Sequence, residues 1–551
     1  MVPGFQVLYP LRPMISASAG RALSGPSFLA LFAMLSATSV AAQDEAVPST
    51  TDPTATDPAA MEHLAGPQSL ALSLEDAVLL AIESNIEYQI AEVQTDIAEF
   101  DMLGSWGAFD WTFDASAGII DSEFETGPNP QNPALPGGFV IDADLQPTVG
   151  MDFTKPLTSG GSFALNFDSV LGADARTTSR DDPTVSSLTE GVTTDTLRLS
   201  YVQPLRRGAW SGYATSTQRE AEVNFRRQIE VRRAARQSLL FDVHHGYWNL
   251  VSAIAQRGVA QSSLDLGLEQ LEQNRRRLEA GVGTAVDVLQ AQATVASRTE
   301  AELQRDNDVQ QAMDSLKALL FGGPEEELWN TRLDPTSTLP EGELSIEWLE
   351  DWATALGVAL NERSDLRQQR LQVDAARLRH GRSVSERLAA VDLDLSISSR
   401  NVDTSDASAL VDAASFEFSN FSATLNYNMP IGNRTANNAE RAARADVRAS
   451  LLTYDQLEIA ALAEVRAAVR AVRFQVEAVR AAVQSLELAR RQLEAEQARY
   501  EADLSTTFQV LEFQQSLVEA LSSERLARAE FVKARVSLEN ARGTLDHGDS
   551  R

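Results

Sequence analysis

The 551-residue chain contains no cysteine. Disulfides, thiol nucleophiles, thiolate metal sites and a cysteine-linked lipid anchor are therefore excluded. An exported protein of this kind has to be held by packing or by assembly. Proline is missing from long stretches: none lies between Pro204 and Pro324, between Pro340 and Pro430, or after Pro430. It costs about 3 kcal/mol inside a helix, so long helices can run through these gaps. Positive charge is scarce, with 47 Lys+Arg against 78 Asp+Glu and a net charge of −31. Such a surface repels phosphates and speaks against a nucleic acid partner. No segment beyond the N-terminus is long and apolar enough for a membrane helix, so any membrane crossing has to be a β-barrel. Catalytic signatures are missing too. No serine sits in a nucleophile elbow. Gly281-Val282-Gly283 lacks the preceding strand of a nucleotide loop. His244 and His245 point about 100° apart on a helix, with no carboxylate–histidine motif around them. The expectation is no enzyme, no cofactor and no metal.

What is present is a long pattern stated twice. A shift of 222 residues places Leu240, Val243, Tyr247, Leu250 and Ile254 on Leu462, Val465, Val469, Val472 and Val476. Leu264, Leu271 and Leu278 fall on Leu486, Leu493 and Tyr500, and Leu289 and Gln292 on Leu511 and Gln514. The spacings alternate three and four, as in a coiled-coil seam. Register kept through a hairpin points to one structural unit duplicated.

The pattern divides the chain. Residues 1–42 read as a signal peptide, with Arg12 and Arg21, an apolar core from Phe28 to Leu35, and small residues at Val40-Ala41-Ala42 before Gln43. Residues 43–68, rich in Pro, Thr, Asp and Ala, read as a disordered linker. The first repeat spans 69–323, an inter-repeat segment 324–344, the second repeat 345–545, and a tail 546–551.

In the first repeat Ser73 and Asp76 predict a capped helix running to about Leu103. Alternation predicts a strand over Phe109–Ile119, followed by a Pro/Gly/Asn loop at 127–138. Two further strands flank Ser159-Gly160-Gly161, and another covers Thr196–Val202. Helices are expected from about Gly212 to Ala280 and from Thr284 to Leu320, with Gly281 and Gly283 at the turn. The second repeat predicts a helix near Ser345–Glu386 and strands at Val391–Ser398 and Phe416–Met429, the latter with a bulge near Asn420. Helices then follow over Arg434–Ala502 and from Thr506 to Ala541. Each longer helix measures about 100 Å, too long to bury its stripe on a small core. Trp106, Phe109, Trp111 and Phe113 mark either an interfacial girdle or ordinary packing.

In this order and duplicated, the motifs resemble the TolC-like outer membrane efflux proteins across nearly all of residues 69–545. Ala81-Ile82-Glu83-Ser84-Asn85 and Ala359-Leu360-Asn361-Glu362-Arg363 are similar to the family's opening helix signature. Tyr201-Val202-Gln203-Pro204-Leu205 and Tyr427-Asn428-Met429-Pro430-Ile431 resemble its strand-to-helix junction. Gly281-Val282-Gly283-Thr284 with Asp287-Val288-Leu289 and Gln292 resembles its hairpin tip, and Asp503-Leu504-Ser505-Thr506 stands at the second tip.

The resemblance implies an α+β membrane protein in the outer membrane of a Gram-negative bacterium, extending into the periplasm. A homotrimer, with about four strands per chain, would close a twelve-stranded β-barrel in outer membrane lipid. A coiled-coil α-helical barrel would continue it. It also implies a passive channel of a tripartite efflux or type I secretion system, docked on a periplasmic adaptor and an inner membrane pump. The channel entrance would involve Asp287, Gln509 and Glu512. The family often has aspartates at the last two positions, and here they are an amide and a glutamate. A periplasmic adaptor, which also uses coiled-coil hairpins, is the alternative.

Overall fold

The computed structural model describes residues 69–126, 139–179, 184, 186–324, 326–403, 419–502 and 504–545. The signal peptide, the linker 43–68, the loop 127–138, Phe416, Phe418, Asp503 and the tail lie outside the described residues.

The chain opens with strand β1 (Ser69–Leu72) and helices α1 (Leu74–Ser84) and α2 (Ile86–Ser105). Ser73 caps α1 through its hydroxyl, which accepts the amide of Asp76 at 3.1 Å. The expected single helix is broken at Asn85. Its backbone is extended, its side chain accepts the Tyr88 amide, and its Nδ2 reaches the Leu319 carbonyl at 3.2 Å. The break is thus fixed by a partner more than 230 residues away.

After a short 3₁₀ turn at Trp106–Phe109 come β2 (Thr112–Thr126), β3 (Phe139–Pro156), β4 (Ser162–Ser179) and β5 (Ser186–Pro204). Then follow α3 (Ser211–Ala214), α4 (Ser216–Glu279), α5 (Ala285–Leu320), α6 (Glu326–Asn330) and β6 (Arg332–Pro335). The second half has α7 (Trp352–Glu362), α8 (Ser364–Glu386), β7 (Ala390–Asp403), β8 (Ser419–Asn428), α9 (Arg434–Glu501) and α10 (Thr507–Arg542). Here too the expected helix is shorter and interrupted. Ser345–Asp351 forms a turn, with the Leu349 amide on the Ile346 carbonyl, and Arg363 is extended between α7 and α8.

Strands β2-β3-β4-β5-β7-β8 form one sheet in that order, every pair antiparallel. The described residues thus place six strands in this sheet, the about four expected per chain together with the two of the hairpin around Gly160. The hairpin around Gly160 is not an appendage, because both its strands are hydrogen-bonded on both sides. Among the described residues β8 pairs with β7 without a break from Ser419 to Asn428, and the phase change expected near Asn420 involves Phe416 and Phe418, which lie outside them.

Helices lie beneath the sheet in the order of their strands. α2 packs on α4, α4 on α8, and α8 on α9. These helices lead into or out of β2, β5, β7 and β8 respectively. Leu239, Val243, Tyr247 and Leu250 of α4 bury against Val309, Met313, Leu316 and Leu320 of α5. Val465, Val469, Val472 and Val476 of α9 bury with Ala355 and Ala359 of α7 and Phe531 and Leu538 of α10. A fully buried leucine or valine contributes about 1.5–3 kcal/mol, so these stripes dominate the stability of each hairpin. Tyr247, also fully buried, donates its hydroxyl to the Leu72 carbonyl (3.2 Å) and accepts the Ser337 amide (3.1 Å). It thereby ties α4 to the parallel pair β1–β6.

Candidate functional site

Two features are candidates for a functional site: the tips of the helical hairpins and the unfinished sides of the sheet. At the first tip Gly281 has φ +76°, the left-handed conformation glycine adopts without strain. The amides of Val282 and Gly283 close the end of α4 on the Arg277 carbonyl. Thr284 and Asp287 then form a reciprocal capping box on α5. The Thr284 hydroxyl, with Thr284's own amide and a further bond from Thr507, holds the Asp287 carboxyl below its ordinary value. At the second tip Thr506 caps α10 by accepting the Gln509 amide. Gln509 and Glu512 are exposed, whereas Asp287 is half-buried.

A buried polar network joins the two tips. The Tyr500 hydroxyl donates to Asn274 Oδ1 at 3.1 Å and lies 3.2 Å from the Thr507 hydroxyl. Asn274 Nδ2 donates to the Asp287 carbonyl at 3.2 Å, and Gln270 Nε2 donates to Asn274 Oδ1 at 3.0 Å. The Arg277 guanidinium lies over the Tyr500 ring, 4.9 Å from its centroid. Further along, Arg298 donates to the Ser263 carbonyl (2.8 Å) and to Gln514 Oε1 (3.1 Å). Burial lowers its pKa. Gly267 leaves the room, since a Cβ there would meet Arg298 Cδ at 3.1 Å. Sequence reading placed Tyr500 and Gln514 on the seam but missed Asn274, Arg298 and Thr507. The available signal was polar residues recurring on an apolar stripe.

The sheet is sided. Phe113, Ala115, Ala117 and Ile119 of β2 share a face with Phe153, Met151 and Val149 of β3. Phe163, Leu165 and Phe167 of β4 and Tyr201, Leu199 and Leu197 of β5 continue that face. Leu393, Leu395 and Ile397 of β7 and Leu425, Ala423 and Phe421 of β8 complete it. The other face is polar. There Asn166 bonds Asp152, Asn426 bonds Asp394, and Arg198 and Ser422 both reach Ser396. Trp111 and Phe113 project from the lower end of β2, where Trp111 meets Phe163 edge-on and Phe113 lies 4.7 Å from Phe153.

Both outer strands, β2 and β8, lack a further partner among the described residues. The helix beside each carries exposed apolar side chains. On α2, Ile86, Ile90, Val93, Ile97, Phe100 and Leu103 are each more than half exposed. On α9, Leu452, Ile459 and Phe474 are exposed as well. The α2 spacing is that of a coiled-coil seam that has no partner among the described residues.

Residues 170–322 and 355–544 match the outer membrane efflux protein family. The chain belongs to this family. Solved outer membrane proteins share its fold. The VceC outer membrane protein of Vibrio cholerae aligns with TM-score 0.58 at 16% identity, over 85% of this chain and 96% of its own. The CmeC channel of Campylobacter jejuni gives 0.59 at 15% identity, over 90% and 94%. The open-state MtrE channel of Neisseria gonorrhoeae gives 0.57 at 16% identity, over 86% and 89%. No curated protein is similar enough in sequence to count as a match. The first half of the family match begins at residue 170, so the hairpin turn at Gly160 and all of β3 lie outside it.

Proposed function

We propose that the chain is the outer membrane channel of a tripartite efflux or type I secretion system. It is a passive conduit across periplasm and outer membrane, with no chemistry of its own. Family membership supports this reading, and the pair of unfinished sides carries it. In lipid, an open sheet edge leaves backbone groups without partners. Six strands are too few to close alone, since the smallest membrane barrels have about eight. The β8–α9 side of one copy therefore meets the β2–α2 side of the next. A contact of this heterologous kind closes into a ring. The ring is a homotrimer, each chain a tandem repeat of 69–323 and 345–545. Its helical hairpins form the tunnel, and their tips face a periplasmic adaptor and an inner membrane pump.

At the tunnel's end Glu512 and Gln509 stand exposed, with Asp287 behind them in its capping box. Three copies of these carboxylates around one axis favour cations over anions. Membrane fractionation and native mass measurement in detergent test the assembly, and a stable monomer outside the outer membrane would refute it. Single-channel recording tests the entrance. Asp287→Asn combined with Glu512→Gln is expected to weaken cation selectivity and block by multivalent cations. Wild-type selectivity in the double variant would remove these carboxylates from the entrance.

A further inference from the structure

We infer that the β3–β4 hairpin is part of the membrane wall, so that three chains close a barrel of eighteen strands rather than twelve. The inference rests on the trimeric channel reading. Three observations carry it.

First, the apolar face runs from β2 through the hairpin to β5. Met151 and Phe153 of β3 and Leu165 and Phe167 of β4 stand in register with apolar residues on both neighbouring strands, while Val149 faces Ala117 and Ser169, and Phe163 faces Tyr201 and Lys155. The intervening Asp152, Thr154, Asn166 and Asp168 fall on the polar face. A hairpin folded outside the wall would have no reason to keep this alternation in phase with β2 and β5.

Second, the turn of the hairpin is anchored where the sheet meets the helices. The Trp210 amide donates to the Ser159 carbonyl at 3.0 Å, and the Ser159 hydroxyl donates to Gln203 Oε1 at 3.2 Å. Gly160, at φ +89°, packs so close to the Gly208 carbonyl that no side chain fits. The hairpin is thus fixed at the β5–α4 junction.

Third, the hairpin has no helix of its own. α2 and α4, which serve β2 and β5, pack directly on each other, so six strands stand on four helices. Twelve helices at about 8–10 Å spacing make a ring roughly 96–120 Å around. With strands about 4.8 Å apart and tilted about 40°, eighteen strands span about 113 Å and twelve about 75 Å. Eighteen match the girth of the helical tunnel without a taper. Backbone radii are about 18 Å and about 12 Å respectively, so the wider barrel has roughly twice the cross-section.

The chain has no cysteine, so single cysteines can be spin-labelled cleanly. Ala423→Cys on β8 is small and lipid-facing, and Ala117→Cys on β2 provides a second site. In trimers in lipid nanodiscs, pulsed dipolar spectroscopy should give interprotomer backbone separations of about 31 Å, against about 21 Å for twelve strands. Labels at Met151→Cys and Phe167→Cys should be accessible to a lipid-phase relaxation agent, and a label at Asp152→Cys to an aqueous one. Trimers with about 21 Å separations, or with water-exposed labels at 151 and 167, would overturn the eighteen-strand wall and leave the channel reading standing. Absence of any interprotomer distance, with the protein outside the outer membrane, would overturn both.

Discussion

Replacing Tyr500 by phenylalanine removes one hydroxyl from the joint between the two hairpin tips and leaves its ring. That hydroxyl is buried, with the residue 6% exposed. It donates to Asn274 Oδ1 at 3.1 Å and adjoins the Thr507 hydroxyl at 3.2 Å. Asn274 Oδ1 still receives Gln270 Nε2 at 3.0 Å, so the loss leaves no acceptor without a partner. The Thr507 proton is already given to Asp287, so one neutral hydrogen bond, worth about 0.5–1.5 kcal/mol net, is lost, and a cost of about 1 kcal/mol is expected. The phenyl ring keeps its place beneath Arg277. A cost of this size raises the population of locally opened tips about 5-fold. Hydrogen exchange should read it as faster exchange in peptides from the end of α4 and the start of α10, with the α4–α5 core unchanged. Tyr500→Ala also loses the ring and should cost about 3–5 kcal/mol. Because Asn274 and Tyr500 touch, Asn274→Ala combined with Tyr500→Phe should be less than additive. Exchange at the tips identical to that of the parent chain would refute the reasoning, since the network would then not be what holds the hairpins together.

Three further outcomes follow from the geometry. Val472 is fully buried between α7, α9 and α10, and Val472→Asp forces in a carboxyl with no partner, costing several kcal/mol even if it stays protonated; assembled protein in outer membrane fractions should fall sharply, and normal assembly would contradict the packing. Gly543 ends α10 at φ +72°, with a Cβ there 2.9 Å from Arg363 Cα; Gly543→Ala should cost about 1–3 kcal/mol through strain and contact, seen as a lower unfolding temperature. Asp287 and Glu440 both have folded values below their unfolded ones, through the Thr284 hydroxyl and through His380 respectively. Their stabilisation is complete above the unfolded values of about 3.9 and 4.3 and is lost as pH falls through and below them. Exchange at the first tip, corrected for its intrinsic pH dependence, should rise in acid for the parent chain and much less for Asp287→Asn.

The sequence made the long elements legible because their causes are local. Proline-free gaps, the glycines at 281 and 283, and the caps Ser73, Thr284 and Thr506 located the ends of the long hairpin helices closely, whereas the helix expected from Ser345 begins at Trp352. Alternation and the turn at Gly160 located the cores of the strands in the six-stranded sheet, but not β1 or β6. What escaped has causes elsewhere in the chain or beyond it. The break at Asn85 depends on the Leu319 carbonyl, and β1 is only four residues long and pairs with β6 across the whole first hairpin. The place of the hairpin at Gly160 escaped for a different reason. It has no counterpart in the second repeat, so duplication, the strongest signal in the chain, could not set its place in the sheet. Periodicity also announces that a face is apolar without saying which chain covers it. Val472 and Tyr247 are buried within one protomer, whereas Leu278, Leu289 and Val483 on the same seams stay exposed, as does the whole α2 stripe. The α2 stripe lies on the helix leading into β2, an outer strand with no further partner among the described residues. On the trimeric reading, the residues whose burial could not be read from one copy are the ones that specify its assembly, and they are where an apolar-to-charged substitution should leave the protomer folded but unable to close a ring.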